Sequence, residues 1–328
     1  RTFTGKLKTL LQRNIPRADD VKKTIRKKTA TRRGGYALVL GGGGARGLAH
    51  IGVLKVLERA GLVPNLVVGT SMGAIVGGMY AQNPSARHVE LMMKDLLRSE
   101  EFRDVGLAAL ARREKSRGRP TVATMYSRVK RGYVLLRSGW STGLVEDSIL
   151  LRSLTRLLDE CEIQECDIPF AAVSCDLISG KEVVFRKGSI LKAIAASAAI
   201  PGIVTPVRVN GRLLVDGGPT SLVPVEVCRS MTDLPIVAVS VTRGLRSAAS
   251  MKNVVDVLLQ SRMIAELTLA EHSLGAADIA IRPLVASYGW ADFASLKALI
   301  DRGEQAAASA LPKIARLVRR GAGSSPES

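Results

Sequence analysis

Histidine, cysteine and aromatic side chains are all scarce in this chain. Of its 328 residues, three are His (His50, His88 and His272), four are Cys, and 4% are Phe, Trp or Tyr. The cysteines (Cys161, Cys166, Cys175 and Cys228) are too sparse for a disulfide framework and form no CxxC pair. They fit buried thiols in a reducing compartment. With so few ligand residues there is no HExxH or zinc-ribbon spacing, so neither a metal nor another cofactor is expected. Acids are in deficit too, 29 Asp+Glu against 48 Lys+Arg, a net charge of +19. The run from Ala60 to Ala86 has no charge and is long enough to span a bilayer. Pro64, Asn65, Gly69, Gly73, Gly77, Gly78 and Gln82 break it into turn, buried strand and small-residue helix, so a membrane span is rejected. The chain opens at Arg1 rather than Met, with no signal-peptide apolar region, and whether the N-terminus is complete is open.

What is present is a globular core, with 46% hydrophobic residues and 31 glycines, suited to tight packing of helices on a sheet. Residues 1–35 hold twelve Lys/Arg against Asp19 and Asp20, and form a basic arm. Within it Phe3, Leu7, Leu10 and Leu11 make an apolar stripe that ends at Pro16. The arm reads either as a short helix on an anionic membrane surface or as a solvated tail. Nucleic acid is disfavoured, because aromatics for base stacking are scarce there. From Tyr36 onward strands and helices alternate, which predicts a three-layer α/β/α sandwich around a mostly parallel sheet. Expected strands are Tyr36–Leu40, Leu66–Val68, Phe170–Cys175, Glu182–Arg186, Arg212–Val215, Ile236–Val241 and Asp278–Ile281. The helix Met251–His272 is expected to turn Val254, Leu258 and Ile264 inward. Residues 36–285 form the expected catalytic domain and 286–320 a helical extension; 321–328 is a disordered tail. Residues 98–137, with eleven Lys/Arg and four acids, read as a basic insert or lid, or equally as an exposed helix pair.

Three motifs carry possible chemistry. Gly41–Gly47 (GGGGARG) follows a strand and opens a helix, satisfying G-x-G-x-x-G at Gly42, Gly44 and Gly47. The second strand lacks the acid of a dinucleotide site, and no Gly-Lys-Ser/Thr follows. What remains is a cluster of N–H groups that could hold a phosphate or an oxyanion. Gly69-Thr70-Ser71-Met72-Gly73 is a G-x-S-x-G between an apolar strand and a small-residue helix, the setting of a nucleophilic serine; an ordinary N-cap serine is the alternative. Asp216-Gly217-Gly218 follows a strand and places a carboxylate at a sheet edge, or is a simple Asp-Gly turn. His272, near a helix end, lacks the context of a triad base, and His50 reads as structural.

In the order GGGGARG, GTSMG, DGG, with the flanks RGLAHIGVLKVLE and ASAAIPGIVTPV, the chain resembles the patatin-like phospholipase family, in its bacterial and neuropathy-target-esterase-type branch. The resemblance covers about residues 36–285. It implies a serine lipid acyl hydrolase with a Ser–Asp dyad: Ser71 as nucleophile and Asp216 as base. It also implies oxyanion donors at Gly42, Gly43 and Gly44, with Arg46 in the basic position beside them. Gly47, Gly69, Gly73, Gly217 and Gly218 support these motifs. A phospholipid or lysophospholipid substrate follows; the basic arm and insert suggest peripheral contact with anionic membrane surfaces, a cytoplasmic location is expected, and the oligomeric state is open. The small-residue segment Ala195–Ile203 and the 98–137 insert are candidates for acyl-groove wall and lid. An acyltransferase using the same acyl-serine and a non-catalytic nucleotide-binding module are the alternatives. A membrane or nucleic-acid scaffold would leave all three motifs without a purpose.

Overall fold

The computed structural model describes residues 35–100, 102, 142, 143, 145–242, 244, 245 and 254–323. The basic arm up to residue 34 and nearly all of the 98–137 insert lie outside them. Strand β1 (Ala37–Leu40) runs through the glycine loop and a 3-10 turn (Gly44–Leu48) into α1 (Ala49–Arg59). β2 (Leu66–Thr70) reverses at Ser71 into α2 (Met72–Gln82), followed by α3 (Ala86–Arg98). Next come α4 (Asp147–Leu154), β3 (Phe170–Asp176), β4 (Glu182–Phe185) and α5 (Ile190–Ser197). A hairpin of β5 (Val207–Val209) and β6 (Arg212–Asp216) leads into the short α6 (Gly218–Ser221) and α7 (Val225–Met231). The chain closes with β7 (Ile236–Val239), α8 (Val254–Gly275), β8 (Ile279–Ile281) and α9 (Leu296–Gly323).

β3, β2, β1, β7 and β8 lie side by side and parallel, so their carboxyl ends share one edge. In β1 and β2 side chains are buried on both faces, which is why they read as unbroken apolar runs. Leu38 and Leu40 face a core shared with α1, α2, α3 and α9, while Ala37 and Val39 face α7 and the end of α8. This is the expected three-layer sandwich. Ser85 and Ser189 start α3 and α5 by accepting from the third backbone N–H of each helix.

One feature of the register positions the site. β3 carries β4 along one edge, and along the other it carries first β2 and then β6. Thr70 of β2 lies opposite Val173, and Asp216 of β6 lies opposite the next residue, Ser174. β2 runs parallel to β3 and β6 antiparallel, so their carboxyl ends meet tail to tail. Two motifs far apart in sequence are thereby neighbours.

Two expectations about elements need correction. The outward face of α8 includes Val254, Leu258 and Ile264, which are 73%, 64% and 46% exposed rather than inward. The hairpin partner β5 and the helix α7 were absent from the sequence reading. In β5–β6 the signal was present: Asn210 and Gly211, at φ 51° and 78°, make a two-residue turn between apolar strands. Among the described residues no helix is long and apolar enough to cross a membrane, and all four cysteines are free thiols.

Candidate active site

Ser71 occupies a turn that few residues can make. β2 ends at Thr70 and α2 begins at Met72, so the reversal falls on Ser71, at φ 57° and ψ −126°. For a residue with a Cβ this conformation is strained, and it pushes the hydroxyl out between strand and helix. Close packing enforces it. A Cβ at Gly73 would collide with the Leu40 carbonyl, so α2 can sit this near β1 only with glycine there. The Ser71 N–H donates to Ser197 Oγ at 3.0 Å, and that hydroxyl donates to Val173 O at 2.6 Å.

Asp216 is held from the same segment, its N–H donating to Ala199 O at 2.9 Å. The end of α5 thus fixes both backbones. The Gly218 N–H donates to Asp216 Oδ1 at 2.8 Å. Burial pushes the Asp216 carboxyl from its ordinary 3.8 up to about 6, against the lowering influence of the Ser71 hydroxyl and the Gly218 N–H. Glu266 reinforces the rise and Arg262 opposes it. These last two are an ion pair one turn apart on α8, with Arg262 Nε 2.7 Å from Glu266 Oε1.

Both motifs open into a cavity of about 240 Å³, whose lining also includes Gly42, Gly43, Gly44, Arg46 and Gly218. Its apolar wall comes from Ile200, Ile203, Leu259, Met263 and Leu267. A larger hollow of about 530 Å³ between β8 and α9 contains neither motif. Gly47, Gly69, Gly73 and Gly217 stand behind the cavity, where they pack rather than line it. The Gly42 N–H is already committed to Leu222 O at 2.8 Å, and Ala45 N–H to Trp290 O at 2.7 Å. Among the described residues the N–H groups of Gly43 and Gly44 have no hydrogen-bond partner. Arg46 donates from Nε to Val241 O at 3.1 Å and from Nη1 to Tyr288 O at 3.4 Å, bracing the loop that it follows.

No histidine lines the cavity. His272 is exposed in the last turn of α8, and the backbone of His88 serves the α3 cap. His50 is fully buried, with Nε2 2.8 Å from Gly41 O, so this nitrogen carries the proton and donates. Burial lowers its pKa to about 4, despite the Gly41 bond, so it is neutral near pH 7. Among the described residues no group of three His, Cys, Asp or Glu stands together as metal ligands would.

Sequence reasoning did not single out Ser197, Arg262, Glu266 or Trp290. The i,i+4 spacing of Arg262 and Glu266 was visible but had no link to the motifs. Ser197 and Trp290 reach the site only through tertiary contacts and carry no local signal.

A strained serine elbow facing a buried carboxylate, on a mostly parallel sheet between helical layers, defines an α/β protein equipped for nucleophilic serine chemistry. The family model for patatin-like phospholipases matches residues 38–229. The chain belongs to that family. Patatin-like phospholipase domain-containing protein 6 of Homo sapiens is 33% identical over 207 residues, 62% of this chain and 13% of that protein. An uncharacterized NTE family protein of Mycobacterium tuberculosis is 36% identical over 182 residues, 56% of this chain and 42% of that one. The chain thus spans less than half of either relative. Among solved structures, VipD from Legionella pneumophila aligns with a TM-score of 0.46 and 15% identity, over 86% of this chain and 67% of that one.

Proposed function

We propose that this chain hydrolyses fatty-acyl esters of phospholipids or lysophospholipids through a Ser71–Asp216 dyad. The observation that carries the reading is the pairing itself: a serine at a strained elbow and a buried carboxylate in one cavity that no histidine lines. Asp216 accepts the Ser71 proton as Oγ attacks the ester carbonyl. The tetrahedral oxyanion is held by the N–H groups of Gly43 and Gly44. Gly42 serves by lacking a side chain, since a Cβ there would lie 3.2 Å from Ser71 Cβ. Each such donor is worth roughly 3 kcal/mol of transition-state stabilisation. The C–O bond then breaks, protonated Asp216 returns its proton to the departing alcohol, and an acyl-serine remains. Water attacks the acyl carbon, Asp216 takes the water proton, and the fatty acid leaves as Ser71 regains its hydrogen. A carboxyl with a pKa of about 6 is a better proton acceptor than an ordinary aspartate and is still largely ionised at neutral pH.

The apolar wall beside Ser71 suits an acyl chain, and the family membership supports a lipid ester. The test is product analysis. Incubation with phosphatidylcholine, lysophosphatidylcholine and monoacylglycerol should release free fatty acid from wild type and none from Ser71→Ala. Release that survives in Ser71→Ala would overturn the assignment.

A further inference from the structure

The large apolar side chains that this fold leaves in solvent are gathered on one side. Leu177 and Ile178 follow β3, Leu245 follows β7 and Leu284, which lines the separate hollow between β8 and α9, follows β8. Those three strands are parallel to β2, so these residues leave the sheet at the edge where Ser71 sits. Ile178 and Leu284 are 81% and 76% exposed. The other contributor is α8. Among the described residues one large apolar side chain, Leu91 on α3, is exposed elsewhere.

On α8 the outward row runs Leu258, Ser261, Ile264, Ala265, Thr268 and Leu269 without a charge, until the exposed Glu271, which pairs with Arg282. A water-facing helix ordinarily puts its charges on that face. Here Arg262 and Glu266, in the middle of the helix, line the cavity instead. Among the described side chains of this helix only Ala270 and Leu274 join the buried core, so the row is not the back of an internal helix. Leu259, 45% exposed, belongs both to the solvent-facing apolar set and to the wall of the Ser71 cavity. The exposed surface is therefore continuous with the mouth of the site.

We propose that this rim is the face by which the protein lies on a lipid surface, with the Ser71 cavity opening toward the acyl chains. The inference rests on the lipid-ester reading above and adds where the lipid meets the protein. Contiguous exposed apolar surface marks an interaction site, and what borders the cavity mouth selects the occupant. A second copy of the chain seated there would close the mouth, whereas a lipid layer covers the rim and supplies what the cavity takes. The net charge of +19 draws the molecule toward anionic headgroups before the rim engages.

Sedimentation with vesicles of phosphatidylcholine, with and without phosphatidylglycerol, tests this in the full chain. Leu258→Asp/Ile264→Asp, neither residue lining the cavity, is compared with wild type, both carrying Ser71→Ala to prevent turnover. Vesicle partitioning should fall by at least about tenfold on both compositions. With Ser71 intact, hydrolysis of a short soluble ester should stay within about twofold of wild type, which reports an undamaged fold. Equal partitioning of the two proteins, or no binding by wild type, would overturn the proposal. So would light scattering that shows a dimer converted to monomers by the double substitution, since the rim would then belong to a second copy. Failure of the lipid-ester reading has a different signature, loss of ester turnover in wild type with vesicle binding unaffected.

Discussion

The proposed dyad places two demands on Asp216, burial that raises its basicity and ionisation at neutral pH. Its folded pKa of about 6 lies above the ordinary 3.8, so protonation favours the folded state. The stabilisation linked to that proton is fully present below about pH 4 and is lost as pH rises through about 6. Asp216→Asn should therefore raise Tm near pH 8, by up to about 3 kcal/mol in stability, and leave it unchanged near pH 3. Turnover should fall by a factor of about 10²–10⁴ in the same variant. In wild type, the acid limb of kcat/KM should titrate at about 6; a limb near 4 would mean that burial does not raise the Asp216 carboxyl. Ser197 gives a second test at this scale. Ser197→Ala leaves the buried N–H of Ser71 without its acceptor, a loss of about 1–3 kcal/mol. Chemical denaturation should read that loss, together with a lower kcat, because the elbow loses its anchor. Ile203, on the apolar wall, gives a third: Ile203→Trp should shift the preferred acyl chain to shorter lengths in a chain-length series.

At the scale of elements, the packing of α9 on α1 shows how a C-terminal helix becomes part of the core. A Cβ at Gly52 would collide with the Ile300 carbonyl, and one at Gly303 with the Ala49 carbonyl, so the two helices cross backbone to backbone. Lys55 then bridges Glu90 of α3 at 3.1 Å and Glu304 of α9 at 2.7 Å, with Arg59 also 2.7 Å from Glu304. These pairs are half-exposed and add little singly; the close approach dominates. Gly303→Leu should cost at least about 2 kcal/mol through overpacking, read as a lower Tm. Sequence alone suggested the helix but not its contact, because a glycine in a helix does not announce what lies against it. The same limit explains α8. Its apolar residues are spread around the helix, so the sequence predicts a helix but cannot say which side meets a protein core and which meets something outside the protein. The hairpin β5–β6 is a different case, since Asn210-Gly211 between apolar residues is a local turn signal and was legible.

At the scale of the whole molecule, one topological fact assembles the site. β2 and β6 arrive from opposite directions along one edge of β3, and the glycine loop after β1 lies beside them. The motifs were legible because each chemical group needs its own strained or glycine-rich backbone, and such backbones leave local marks. The segment Ala195–Ile203 was expected beside the site and does line the cavity, but the clamping role of Ser197 and the α8 ion pair facing Asp216 were not legible. Their roles come from contact across the fold, which one sequence does not encode locally. The parallel strands also send their exposed apolar loops to the same edge, so the site and the proposed lipid-facing rim share a side of the molecule.

The most direct test of the central claim is intact-mass spectrometry after exposure to a fluorophosphonate, on wild type, Ser71→Ala and Asp216→Asn. Wild type should gain the mass of one phosphonyl adduct, Ser71→Ala should gain none, and Asp216→Asn should label far more slowly than wild type. An adduct that persists in Ser71→Ala, or a wild-type chain that stays unlabelled, would contradict the dyad.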